Sequence, residues 1–182
     1  IMKKIIIFMV LSLCGFAKDI SIHLEETVIN KFLTSASFFS DTTKVDLKIS
    51  KFDLKWKVYD AQIDLTSKGS KFAAKIELIT ENKTRNGTVE GEAKFKFDKK
   101  TQNLIIDVKD LKVRGLDFFN LASFYKPKYE LPIKLIRKEK IEVKRGDKEI
   151  AYLVPDLYEE SVTVYDKNLL IEANIKFIEE KN

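Results

Sequence analysis

Val45-Asp46-Leu47-Lys48-Ile49, Phe52-Asp53-Leu54-Lys55-Trp56-Lys57-Val58 and Ala93-Lys94-Phe95-Lys96-Phe97 alternate apolar with mostly charged side chains. A β-strand sends successive side chains to opposite faces, so each segment builds a sheet with one wet face and one apolar face. The apolar face has to be covered by a helix, an opposite wall or an apolar ligand. No catalytic pattern stands out elsewhere, so the nature of that cover is the functional question.

Working outward, the alternation predicts strands near 44–50, 52–59, 61–66, 71–80, 88–97 and 103–113. Asp60 falls where the apolar phase shifts from Val58 to Ala61, Ile63 and Leu65, the mark of a bulge or turn. Ser67-Lys68-Gly69-Ser70, Arg85-Asn86-Gly87-Thr88 and the stretch 98–103 carry the residues that reversals need. Short connections between such strands imply an antiparallel meander. On the N-terminal side, Ile20-Ser21-Ile22-His23-Leu24 reads as a short strand. A helix is expected over 25–39, led by Glu25 and Glu26, with Val28, Ile29, Phe32, Leu33, Ala36 and Phe39 on one stripe facing the sheet. After Gly115, the aromatic block Leu116, Phe118, Phe119, Leu121, Phe124 and Tyr125 has helical spacing and predicts a second short helix before Pro127. Residues 126–132 contain two prolines and cannot form a central strand. Further strands are expected near 141–143, 149–154, 161–165 and 169–177, with a turn at Asp166-Lys167-Asn168. The expected class is therefore mainly β, a β-rich α+β fold. Its strongly curved antiparallel meander forms a barrel or half-barrel, with an N-terminal helix and a second short helix covering or capping the apolar face.

The chain has 182 residues, 45% hydrophobic and 34% charged, which suits a folded core rather than disorder. The N-terminus differs in kind. Lys3-Lys4 precede an apolar run over 5–13, and Gly15-Phe16-Ala17 supplies the small residues a signal peptidase reads, so residues 1–17 are expected to be a signal peptide cleaved after Ala17. The run is too short to span a bilayer. Leu11-Ser12-Leu13-Cys14-Gly15 resembles a lipoprotein cleavage site, but Leu13 stands where a small residue is usual, and the lipid-anchored form is the less favoured alternative. Cleavage after Ala17 removes the lone cysteine, Cys14, and leaves a domain held by packing alone. Residues 18–182 are expected to form a single β-rich ligand-binding domain. The formal charge of +5 falls to +3 once Lys3 and Lys4 are gone, and acids alternate with bases along the strands. The pattern reads as a mixed solvated surface, with no nucleic-acid partner.

His23 is the single histidine, and with no cysteine or acidic cluster beside it no metal set is expected. There is no Gly-x-Ser-x-Gly elbow, phosphate-cradling glycine loop or His-Glu-x-x-His pair, and Glu25-Glu26 and Glu159-Glu160 are adjacent rather than opposed. The expectation is a non-enzyme with no catalytic residue and no cofactor. Asn82-Lys83-Thr84 and Asn86-Gly87-Thr88 match a glycosylation pattern but read as turn chemistry. The aromatic content is the feature left over: 13 Phe, 6 Tyr and 1 Trp, several of them in inward phase, including Phe52, Trp56, Phe72, Phe95, Phe97 and Phe177. The residues expected to line an apolar cavity are Phe32, Phe52, Leu54, Trp56, Val58, Ile76, Leu78, Phe95, Phe97, Phe118, Phe119, Phe124 and Tyr129.

Two family resemblances follow. Ile-x-Leu, an acidic-led helix containing Ile29-Asn30-Lys31-Phe32-Leu33, meander strands with Phe97-Asp98-Lys99-Lys100-Thr101 leading into 104–113, an aromatic helix and a closing hairpin resemble the YceB-like periplasmic lipoproteins. That likeness spans most of the chain after the leader and implies the tubular lipid-binding superfamily, in which a curved sheet rolls around a long helix. Phe52-Asp53-Leu54-Lys55-Trp56 is similar to the opening strand of lipocalin or calycin barrels, with Leu54 where their glycine is usual. Both imply carriage or sensing of an apolar molecule. The leading expectation is an exported bacterial binding protein, periplasmic or extracellular and monomeric. It would hold a fatty acid, phospholipid or isoprenoid-like ligand, with peripheral membrane contact as a further option. The alternative is an exported interaction module or envelope assembly factor with a filled core.

Overall fold

A computed structural model describes residues 18–47, 50–80, 83–115, 120–145 and 149–180. The chain is mainly β, with 69% strands. The elements run β1 (Ile20–Glu25), α1 (Glu26–Ala36), β2 (Phe39–Leu47), β3 (Ser50–Asp64), β4 (Ser70–Ile79), β5 (Thr84–Asp98), β6 (Asn103–Arg114), a 3-10 turn (Leu121–Ser123), β7 (Lys128–Pro132), β8 (Ile141–Arg145), β9 (Glu149–Tyr165) and β10 (Asn168–Glu180). Strands β2 to β7 form a six-stranded antiparallel meander in sequence order, and a second sheet has the order β1-β10-β9-β8. Within 18–182, the stretch expected as one domain, the fold groups into two compact units. The larger contains Ile22–Leu135 with Ser161–Ile171, and the smaller contains the residues up to Ser21, Ile136–Glu160 and those from Glu172 onward.

Strand β3 shows how the sequence pattern becomes a sheet. Leu54, Trp56 and Val58 are buried on one face, the register shifts between Tyr59 and Gln62, and Ala61, Ile63 and Leu65 then take over the buried face. Asp60 sits at the shift with φ 56°, and Lys75 Nζ binds its carboxylate at 2.6 Å. The bulge read from the change of phase is therefore present, within one continuous strand instead of the two expected. A second bulge lies on β6, where Asp110, with φ 53°, and Leu111 oppose the single residue between Glu90 and Glu92 of β5. Gly91 is required there, because a Cβ would stand 2.7 Å from the Lys109 carbonyl oxygen and 3.0 Å from Val108 Cγ1.

Helix α1 closes the edge that β2 leaves open. β2 pairs with β3 only as far as Phe39↔Val58, so the outward N–H groups further along β3 have no strand partner on that side. Side chains at the helix and its C-cap supply acceptors to alternate strand residues. Ser37 Oγ accepts from Ala61 N at 3.0 Å, Asn30 Oδ1 from Ile63 N at 2.7 Å, and Glu26 Oε2 from Leu65 N at 2.7 Å. Asn30 Nδ2 also donates to the Ile63 carbonyl at 2.9 Å, so one amide side chain pairs both backbone groups of Ile63 as a neighbouring strand would. Lys167, at the β9–β10 turn, donates its N–H to the Leu65 carbonyl, and its own carbonyl accepts the N–H of Glu26. Asp166 accepts from both the backbone N–H and the hydroxyl of Ser67, at 2.8 and 3.1 Å.

The six-stranded sheet curls into a half-barrel, and ring contacts measure the curl. β4 and β7 are separated by β5 and β6, which would hold their facing side chains about 14 Å apart on a flat sheet. Instead Phe72 of β4 stacks on Tyr129 of β7 with ring centroids 6.4 Å apart. At the sheet's two edges, Phe39 of β2 lies 5.3 Å from Tyr125, just ahead of β7. The buried face between them holds Phe72, Ala74, Ile76 and Leu78 of β4, Val89, Ala93 and Phe97 of β5, and Leu104, Ile106 and Val108 of β6, with Ile29 and Leu33 of α1 also buried.

Several expectations are corrected. The helix ends at Ala36, not 39: Ser37 forms the C-cap, its N–H on the Leu33 carbonyl, and Phe39 opens β2. Of the expected stripe only Ile29 and Leu33 are buried, while Val28 is 46% exposed. The second helix is reduced, in its described part, to the 3-10 turn Leu121–Ser123, and residues 116–119 lie outside the described residues. Asn86-Gly87 is no turn. It pairs with Glu77 and Ile76 inside β5, and the hairpin closes earlier, where Thr80 N donates to the Lys83 carbonyl. The expected strands at 149–154 and 161–165 are one strand, β9. Its Pro155 lies past the last β8 pair, Ile141↔Leu153. Phe177, expected inward, is 57% exposed near the end of β10. β7, preceded by Pro127 and ending at Pro132, is an edge strand, as expected of a proline-bounded segment.

In the smaller unit, Glu159 gathers Lys18 Nζ at 3.4 Å and Asn174 Nδ2 at 2.8 Å, and Asp156 faces both Lys138 and Lys176. Asp19 accepts the backbone N–H of Ile175 at 2.8 Å.

Candidate functional site: an aromatic cleft at the seam of the half-barrel

The two edge strands of the half-barrel face each other across a cleft of about 380 Å³. One wall is the end of α1 and the start of β2, with Ala36, Ser37, Phe38 and Phe39; the other is the lead into β7, with Phe124, Tyr125, Lys126, Pro127, Lys128 and Tyr129. The local causes can be read in the chain. Ser37 stops the helix and turns its hydroxyl to Ala61, which leaves Phe38 and Phe39 between helix and strand. Pro127 keeps the other wall extended, and its carbonyl accepts the Val108 N–H.

The inner end of the cleft is an aromatic cluster. Trp56 lies 5.3 Å from Phe39 and 5.8 Å, edge-on, from Tyr125. Its indole N–H donates to Thr43 Oγ1 at 3.0 Å, so the buried ring has its polar edge satisfied. The outer end is wet: Phe38 is 68% exposed, Phe124 49% and Phe39 40%. Tyr125 and Tyr129 are buried and share one hydrogen bond between their hydroxyls, 3.0 Å apart. Burial pushes the Tyr129 hydroxyl far above the ordinary tyrosine range, and the bond from Tyr125 adds to the rise. Burial also raises Tyr125, with the bond to Tyr129 opposing it. Both are neutral phenols at physiological pH. Lys126 and Lys128 stand exposed at the rim, Lys128 paired with Glu130 at 3.3 Å.

Of the side chains expected to line a cavity, the structure brings Phe124 and Tyr129 to this cleft and Trp56 against its aromatic walls. Leu54, Val58, Ile76, Leu78 and Phe97 are buried on the sheet face and do not line it, and Phe32 and Phe95 are half-buried. Phe52 lies in β3 opposite Val45, with its side chain outside the described residues, as are Phe118 and Phe119. Phe38, Phe39 and Tyr125 are lining residues that the strand-phase argument passed over. The available signals were the Phe-Phe pair just past a Ser helix stop and the Tyr pair flanking Pro127. His23 is exposed, and among the described residues no group of three His, Cys, Asp or Glu is placed to hold a metal ion. No described helix is long and apolar enough to cross a membrane. No family model and no curated protein matches this chain.

Proposed function

We propose that this chain is an exported binding protein that holds an apolar ligand in the cleft between residues 36–39 and 124–129. The observation that carries the reading is the pair Phe38 and Phe124, 68% and 49% exposed on facing walls of one cleft. Full burial of a Phe side chain is worth about 1.5–3 kcal/mol, so covering the exposed parts of Phe38, Phe39 and Phe124 returns roughly 3–4 kcal/mol toward the cost of association. An apolar ligand adds the burial of its own surface, and a volume of about 380 Å³ lies in the range of small-molecule sites. The likeness to tubular lipid-binding and calycin carriers points the same way. Export rests on the Lys3-Lys4 start, the apolar run and Ala17, all in residues 1–17, outside the described residues.

Organic extraction of the purified protein followed by mass spectrometry tests the reading, together with uptake of a fluorescent fatty acid. The expected result is a recovered apolar compound and saturable uptake, weakened at least tenfold in Phe38→Ser/Phe124→Ser. No recovered compound together with no uptake overturns it. The exposure of the same three phenylalanines also favours a second reading, docking of a protein partner over them; chemical cross-linking to a partner that the double serine variant abolishes, with no lipid recovered, selects it.

A further inference from the structure

The hydroxyl pair of Tyr125 and Tyr129 leaves a hydrogen over. Tyr125 and Tyr129 carry one O–H each, and each is at least nine-tenths buried. Whichever hydroxyl donates, their mutual bond uses one of the two hydrogens, and among the described residues neither ring has another polar partner. Both residues line the cleft, next to the walls of Phe38, Phe39 and Phe124. A buried O–H with no acceptor costs free energy that an incoming acceptor recovers, and an anionic oxygen makes the stronger bond. The charge at the rim has the complementary sign: Lys126 has no ion-pair partner among the described residues, and Lys128 shares its charge with Glu130 alone. No acidic side chain lines the cleft.

We infer that the ligand of this cleft is an amphiphile with an anionic oxygen head group, a carboxylate or phosphate, whose oxygen takes the spare hydrogen of the Tyr125–Tyr129 pair while Lys126 lies at the rim. This rests on the apolar-ligand reading above and names the class of molecule that reading leaves open. The geometry also sets an unusual substitution pattern. Replacing either tyrosine by Phe removes one hydrogen and the acceptor that engaged the other, so each single variant still holds one O–H free to donate. Only the double variant has none.

Trp56, the single tryptophan, is in ring contact with Phe39 and Tyr125 and reports occupancy of the cleft by its fluorescence. Titrations would use dodecanoate, dodecyl phosphate, dodecanol and dodecyltrimethylammonium below their micellar concentrations. The expected result is binding of one or both anions about tenfold or more tighter than dodecanol, with the cation weakest; the two anionic arms identify the head group. Tyr125→Phe and Tyr129→Phe keep the preference for the anion, whereas Tyr125→Phe/Tyr129→Phe loses most of it, keeping only the part that the rim lysines supply, while still binding the alcohol. Equal affinity of the wild type for anion and alcohol, or a preference undiminished in the double variant, overturns this inference and leaves the apolar site standing. Absence of binding by all four probes overturns both. Circular dichroism of the double variant, unchanged from wild type, separates lost recognition from lost folding.

Discussion

Asn30 offers the sharpest test of how the half-barrel is held. Its side-chain amide accepts the Ile63 N–H at 2.7 Å and donates to the Ile63 carbonyl at 2.9 Å, on a stretch of β3 beyond the reach of β2. Asn30→Ala strips partners from two part-buried backbone groups, each costing about 1–3 kcal/mol when left unpaired. Ala favours the helix over Asn by up to about 0.7 kcal/mol, which offsets a fraction of that loss. The expected net destabilisation is about 1–6 kcal/mol, a large share of the roughly 5–15 kcal/mol that holds a typical domain. Urea unfolding followed by Trp56 fluorescence measures it, with Lys31→Ala on the exposed side of α1 as the control for helix propensity. Asn30→Asp sharpens the argument, because the carboxylate keeps the acceptor for Ile63 N–H and turns a second lone-pair oxygen toward the Ile63 carbonyl. At neutral pH this variant should be less stable than wild type, and because the Ile63 carbonyl disfavours the charged carboxylate in the fold, the deficit should shrink as the pH falls toward about 4 and protonation restores a donor. A loss under 0.5 kcal/mol for Asn30→Ala, or an Asp deficit that does not change with pH, would refute the claim that this amide stands in for a strand.

Gly91→Ala should cost about 2–4 kcal/mol in the same urea assay, because the new methyl meets the Lys109 carbonyl oxygen at 2.7 Å, which is backbone and cannot step aside. Alkaline difference absorbance should show Tyr129 still protonated at pH 11 and ionising only on unfolding, with Tyr125 shifted in the same upward direction. Their raised values mean that the stability they contribute is complete below about pH 10 and is lost as pH climbs toward their folded values, so ionisation of all six tyrosines at pH 11 in the folded protein contradicts their burial. Asp166 is held below the usual carboxylate range, first by the Ser67 backbone N–H and then by the Ser67 hydroxyl. Its contribution is present above about pH 4 and lost as pH falls through the depressed value, so Asp166→Asn should flatten the acid limb of a urea-midpoint-versus-pH profile; an unchanged limb counts against that contact.

Period-two alternation was enough to read the half-barrel because β3 to β6 bury one side chain in two, and even the phase slip at Asp60 was visible in the chain. Asn86-Gly87 misled because dipeptide turn chemistry is a local preference, whereas the ten β4–β5 pairs, Ser70↔Ala93 through Ile79↔Thr84, set the hairpin end by register. The helix limit was misplaced by three residues because Phe39 fits a helical stripe and a strand equally well. What decided between them was the Ser37 hydroxyl bonding to Ala61, 24 residues away, a contact that no local pattern contains. The cleft was half legible for the same reason. Phe124 and Tyr129 belong to an aromatic block that draws the eye, but its opposite wall, Phe38 and Phe39, comes from the far edge of the sheet and meets them only because the sheet curls.

Asp60, Gln102, Asp110, Glu159 and Lys167 hold φ between 50° and 66°, a region where a side chain is crowded by the following carbonyl at a cost of roughly 1 kcal/mol each. Glycine would sit there without that crowding, but the chain uses its few glycines elsewhere. This architecture thus carries slack: its lineage has room to trade these residues toward a more rugged molecule without touching the hydrophobic interior. The three with ion-pair partners, Asp60, Glu159 and Lys167, are the ones where such a trade would give something up.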